Sequence, residues 1–92
     1  MPQVLVKLYT TLRLRLKANQ LWIEGRTAGD AVRAVARAGG PEAEKIMMDD
    51  QGCVRNEFLL TLDSEILDRK SLDKVELKDG DVLHIFPPIS GG

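Results

Sequence analysis

The sequence has a single cysteine, Cys53, and a single histidine, His84, and each scarcity removes a class of chemistry. A lone thiol cannot staple the chain to itself, and it fits a reducing compartment. A lone imidazole lacks the companion ligands that a metal or a catalytic group requires. No window approaches the roughly 18 consecutive apolar residues of a spanning helix. The opening MPQVLVKLYTTLRLRLK also lacks the apolar stretch of a signal peptide, so the expected location is cytoplasmic. Charge of one sign is not in excess, with 13 basic side chains against 14 acidic ones, which gives neither nucleic acid nor an anionic membrane a reason to bind. Repeats and low-complexity tracts are absent.

What is present suffices for one domain. A chain of 92 residues has an economical core, because folding at this size buries only roughly 60 to 65% of the surface that the unfolded chain exposes. QVLVKLY, Gln3 to Tyr9, alternates with apolar character on both faces and reads as a well-buried strand; QLWIE, Gln20 to Glu24, reads as a second. Between them Leu12, Leu14 and Leu16 alternate with Arg13, Arg15 and Lys17, the pattern of a half-buried strand, which allows a long hairpin arm.

Gly25 then breaks the strand. Thr27 is placed to accept from the amide of Asp30 in a variant of the capping box, and a helix follows with Ala28, Val32, Val35, Ala36 and Gly39 on one face. Gly39, Gly40 and Pro41 stop it, and Pro41 opens a short second helix ending near Met47. Strands return at EFLLTL, followed by an Asp63-Ser64 turn, and at DVLHIF, preceded by an Asp79-Gly80 turn. This order predicts an α+β roll in which a mixed sheet packs across one main helix. Its first and last strands lie side by side at the centre, joined by the long crossover that parallel neighbours need.

The chain closes on FPPISGG. Pro87 and Pro88 have no amide hydrogen for a ladder, so they end the last strand and hold the chain extended. The domain is therefore expected over residues 1–88 and a flexible tail over 89–92. Ile89 to Gly92 would reach about 13 Å beyond the prolines. Two terminal glycines carry no Cβ, so the tail suits a narrow channel and a carboxylate presented to a buried active site. A carboxylate is a poor electrophile, and adenylation with ATP makes it one that sulfur or an amine can attack. A frayed terminus is the bland alternative.

DGDVLHIFPPISGG, Asp79 to Gly92, resembles the carboxyl end of the small subunit of molybdopterin synthase, a ubiquitin-like β-grasp sulfur carrier. LYTTLR ahead of a capped helix at RTAGDAVRAVA is similar too, whereas the residues around DDQGCVRNEF and LRLRLK find no match. The resemblance implies a β-grasp fold with an extended diglycine tail. It implies that a ubiquitin-activating-type adenylyltransferase, using ATP, adenylates Gly92, and that a sulfur donor protein's persulfide converts it to a thiocarboxylate. Ile89, Ser90, Gly91 and Gly92 would then thread into the large subunit, where the pterin precursor is sulfurated to build the dithiolene that holds molybdenum or tungsten. On this reading the chain is a carrier subunit, not an enzyme on its own; it binds no cofactor, and the ATP belongs to its partner. The alternatives are a carrier for thiamine, amino-acid or transfer-RNA thiolation, a protein modifier joined to lysines, and a passive β-grasp interaction module.

Along VLHIF, alternation puts Leu83 and Ile85 on one face and Val82, His84 and Phe86 on the other. If the first face meets the helix, the second is a partly exposed apolar patch beside the tail, and Val82, His84, Phe86, Pro87 and Pro88 form a partner-docking surface. Core packing is the competing reading of Phe86. Cys53, after Gly52 in a polar loop, reads as a passive thiol. Arg13, Arg15, Arg33 and Arg37 could make a basic strip, but such charges are usually a solvated face. Trp22, between Leu21 and Ile23, is expected to be packed.

Overall fold

The computed structural model describes residues 2–87. Val4, Val6 and Leu8 turn inward at every second position of β1, Gln3–Leu8, and are buried. After β1 come α1, Thr10–Leu16, and β2, Gln20–Glu24. The helices α2, Ala28–Ala38, and α3, Pro41–Met47, follow. The chain ends through β3, Leu59–Leu62, β4, Glu65–Ile66, a 3₁₀ segment over Arg69–Lys74 and β5, Val82–Phe86. The sheet order is β2-β1-β5-β3-β4, with β1 and β5 parallel at the centre and Val6 opposite Leu83. The neighbouring pairs are antiparallel. This is the mixed sheet over one main helix expected of a ubiquitin-like β-grasp.

The core lies between one sheet face and α2, where Ala28, Ala31, Val32, Val35 and Ala36 meet Val4, Val6, Leu60, Leu83 and Ile85. Small side chains on the helix let it sit close to a sheet supplied with larger ones. The helix starts as its sequence predicts. Thr27 Oγ1 accepts from the Asp30 amide at 3.1 Å, and the Asp30 carboxylate accepts from the Thr27 amide at 3.3 Å. Arg33 then bonds both Asp30, at 3.0 Å, and Asp73, at 2.8 Å, tying α2 to the 3₁₀ segment. Arg33 is thus engaged in ion pairs.

Turn chemistry fixes the remaining register. Asp63 and Ser64 both have positive φ, 51° and 73°, as a two-residue hairpin between Leu62 and Glu65 requires. Gly80, at φ 86°, lets its turn double back so that its amide bonds the Gln3 carbonyl at 2.9 Å.

Two expectations are corrected. Residues 10–16 form a helix, not a strand or a hairpin arm. Leu12 and Leu16 are four residues apart and share a helix face, so Leu12 is buried, Leu16 lies against Gly39 at the end of α2, and Leu14 is 73% exposed. An extended arm would have set Leu12, Leu14 and Leu16 on one face alike, whereas the helix separates Leu14 from the other two. Lys17 closes α1 in the left-handed region, at φ 56°. Trp22, expected to be packed, is 62% exposed. Its neighbours Leu21 and Ile23 take the helix side of β2, and alternation turns Trp22 the other way.

Candidate functional site on the uncovered sheet face

The sheet face that α2 leaves uncovered converges on the end of β5. Leu83 and Ile85 are buried beneath it, while Val82, His84 and Phe86 alternate onto it and are half-buried. The parallel pairing matters because it brings the end of β1 beside the end of β5, with Leu8 opposite Ile85. Tyr9, the residue after β1, therefore reaches the β5 side chains.

Three rings result. Tyr9 and Phe86 stack with centroids 4.5 Å apart and planes 15° from parallel, and His84 lies 6.0 Å from Phe86 at 9°. The Tyr9 hydroxyl is 2.7 Å from His84 Nδ1, a hydrogen bond whose donor is set by the imidazole tautomer. Offset stacking and this bond hold Phe86 and His84 in fixed orientations. The face continues sideways through the ladder: Phe86 is opposite Leu59, which is 43% exposed, Val82 is opposite Leu5, and Leu5 is opposite Trp22.

Of the residues expected to dock a partner, Val82, His84 and Phe86 share this face. Pro87 is buried just past the strand. Pro88, Ile89, Ser90, Gly91 and Gly92 lie outside the described residues. Tyr9 was missed by sequence reasoning; its signal was the parallel β1 and β5 pairing, which aligns the residue after one strand with the last residues of the other.

The face offers aromatic and aliphatic surface with one imidazole and one phenol, and among the described residues no group of three His, Cys, Asp or Glu side chains is placed to share a metal. On the helix side a cleft of about 470 Å³ lies between α2, α3 and the following loop. Arg33, Arg37, Lys45 and Arg55 line it together with Glu44, Asp49 and Asp50, so its charges largely compensate one another. Asp49 organises that loop: the Cys53 and Gln51 amides donate to it and hold its carboxyl below the usual range, while Cys53 is exposed. Among the described residues no helix is long and apolar enough to cross a membrane.

Comparison with known proteins places this geometry. An uncharacterised protein of Archaeoglobus fulgidus is 38% identical over 69 residues, which are 75% of this chain and 69% of that one. The crystal structure of SAMP1 from Haloferax volcanii is similar over 98% of this chain and 99% of its own, at 26% identity and a TM-score of 0.85. A protein assigned as a molybdopterin converting factor, subunit 1, from Pyrococcus furiosus shares the fold over 97% of this chain and all of its own, at 23% identity and a TM-score of 0.72. The ThiS family model matches residues 6–92. A mixed sheet gripping one capped helix, in a sequence that closes on a diglycine, thus has a family: the chain belongs to the ThiS family of ubiquitin-like sulfur carriers and modifiers.

Proposed function

We propose that this chain is the sulfur-carrier subunit of a molybdopterin synthase. The observation that carries the proposal is the placement of β5. The central strand ends at Phe86 on the aromatic face that α2 leaves uncovered, and Gly92 follows only six residues later in sequence. A partner that grips the face would hold the strand from which Gly92 follows.

In the proposed cycle the Gly92 carboxylate attacks the α-phosphorus of ATP in a ubiquitin-activating-type adenylyltransferase, releasing pyrophosphate and leaving an acyl adenylate. Persulfide sulfur from a donor protein displaces AMP, and a second thiol releases the thiocarboxylate. Ile89, Ser90 and Gly91 then carry Gly92 into the large subunit, which sulfurates the pterin precursor. The chain supplies a handle and an electrophile, and the partners supply the catalysis. A cytoplasmic setting provides the ATP and the reduced thiols. The resemblance of FPPISGG to synthase small subunits supports the molybdopterin client, and the likeness to the Pyrococcus furiosus protein supports the fold that such a client needs.

The modifier reading has its own support, because the likeness to SAMP1, a small archaeal modifier protein, runs at 26% identity across nearly the whole chain. Both readings share the adenylate and part at the nucleophile that takes it.

The test is intact mass after incubation with ATP, a sulfide source and a cognate adenylating enzyme, followed by thiol-directed alkylation and analysis of the carboxyl-terminal fragment. An alkylated fragment ending at Gly92 is the expected result, and the large subunit should co-purify with the chain. An unmodified Gly92, with an enzyme active on another carrier, overturns the carrier reading; conjugates of higher mass favour the modifier.

A further inference from the structure

β2 is an edge strand: the sheet order puts β1 on one side of it and no described strand on the other. The backbone groups it offers follow from its ladder with β1. Leu8 N–H bonds the Asn19 carbonyl at 2.8 Å, and Gly25 N–H bonds the Pro2 carbonyl at 3.1 Å. In an antiparallel ladder, pairs that exchange hydrogen bonds alternate with pairs that do not. Given Val6 opposite Leu21 and Val4 opposite Ile23, the residues Asn19, Leu21, Ile23 and Gly25 turn their backbone groups toward β1. Gln20, Trp22 and Glu24 turn theirs outward.

We propose that this edge pairs with β2 of a second copy of the chain, antiparallel about a two-fold axis at Trp22. An axis there places Trp22 opposite Trp22 and Gln20 opposite Glu24, so every outward N–H meets an outward C=O and the pairing closes as a symmetric dimer. A two-fold at Leu21 or Ile23 would match outward groups as well, but it would set Trp22 opposite Gln20 or Glu24 and lose the Trp22 pair, so the side chains decide the register.

The side chains select the same occupant. QLWIE reads polar, apolar, aromatic, apolar, polar in either direction. Across the seam an amide faces a carboxylate, and like charges are not opposed. On the helix side Leu21 meets Ile23, both still half-buried after packing against the core, so a second copy covers what α2 leaves open. On the other face Trp22, 62% exposed, packs on its counterpart, and tryptophan is among the residues most often found at the energetic centre of an interface. Lys7, opposite Gln20 in the register, falls in the same row as the Glu24 of the second copy, which adds attraction. Of the usual guards of an exposed edge the strand has only its short length and the charge of Glu24; it has no proline, no lysine and no bulge. An extended peptide would satisfy the backbone equally well, but the self-match of the side chains singles out the copy.

Sedimentation velocity of the full chain over a concentration series tests this, with melting curves followed by circular dichroism as the check on folding. The chain should dimerise reversibly. Gln20→Glu sets a carboxylate opposite Glu24 at both ends of the seam and should weaken the dimer roughly tenfold, and adding Glu24→Lys should restore it. Trp22→Asp should abolish it while the variant still melts in one cooperative transition, now independent of protein concentration. A chain that remains monomeric at every concentration overturns the proposal and leaves the edge to an extended segment of another protein. A dimer unmoved by Gln20→Glu overturns it as well.

Discussion

Tyr9 and His84 are 75 residues apart in sequence, and their side chains are joined by a 2.7 Å hydrogen bond on the uncovered face of the sheet. The bond ties the residue after the first strand to the middle of the last one, and Phe86 is stacked beside it.

Tyr9→Phe keeps the ring against Phe86 and removes only the hydroxyl. The expected loss is about 1 kcal/mol, the net value of one hydrogen bond, since His84 is half-buried and water can replace the phenol. Urea unfolding of the variant and its parent measures it. A loss no greater than that of an exposed control substitution would show that the bond contributes nothing to the fold.

The leucines of α1 distinguish a helix from a strand by mutation. Leu12→Ala removes a buried side chain and should cost about 2 to 5 kcal/mol, whereas Leu14→Ala on the exposed face should stay within about 0.5 kcal/mol. Had the segment been a strand, the two would be equivalent. Similar costs in thermal denaturation would contradict the helix.

Acid should loosen the start of α2. The Asp30 carboxyl is held below its usual range, chiefly by the Arg33 guanidinium and then by the Thr27 and Arg26 amides. A folded-state value below the unfolded one, about 3.9, gives a contribution that is complete above the unfolded value and lost as pH falls through the lowered folded value. Stability should therefore rise with pH across that window. The side chain is 40% exposed, so salt should shrink the effect. Asp30→Asn should flatten the acid limb of a plot of urea midpoint against pH; an unchanged limb would assign the slope to other carboxylates.

Removal of Gly92 should abolish thiocarboxylate formation and cofactor synthesis and leave the melting temperature unchanged. Among the described residues the core cluster ends at Ile85, so the stability readout is separate from the activity readout. Cofactor synthesis supported by the shortened chain would end the carrier proposal.

Much of the fold was legible where local chemistry has one solution. Thr27 and Asp30 specify a helix start, Asp63-Ser64 specifies a tight hairpin, and β2 was bounded residue for residue because Gly25 breaks it. The segment Leu12 to Leu16 was not legible, since leucines at alternate positions satisfy period two and also supply an i, i+4 pair. Only tertiary packing, with Leu12 in the core and Leu16 against the end of α2, decides between them. For Trp22, the hydrophobicity of the residue pointed inward and the pleat of the strand pointed outward; the pleat prevailed because Leu21 and Ile23 already filled the inner face. The candidate site was half visible. Alternation along β5 gave Val82, His84 and Phe86, but Tyr9 joins them through a contact between chain segments that no local pattern encodes.

The parallel seam between β1 and β5 also governs when the protein can come into being. β1 is made first and its central partner nearly last, so the pairing of Val6 with Leu83 spans almost the whole chain and cannot form during most of synthesis. A chain interrupted anywhere before residue 82 lacks the middle of its sheet and leaves Val4, Val6 and Leu8 without their neighbour. Such fragments present exposed apolar strand to proteases and chaperones. A closed core is therefore reached only by chains that extend through β5.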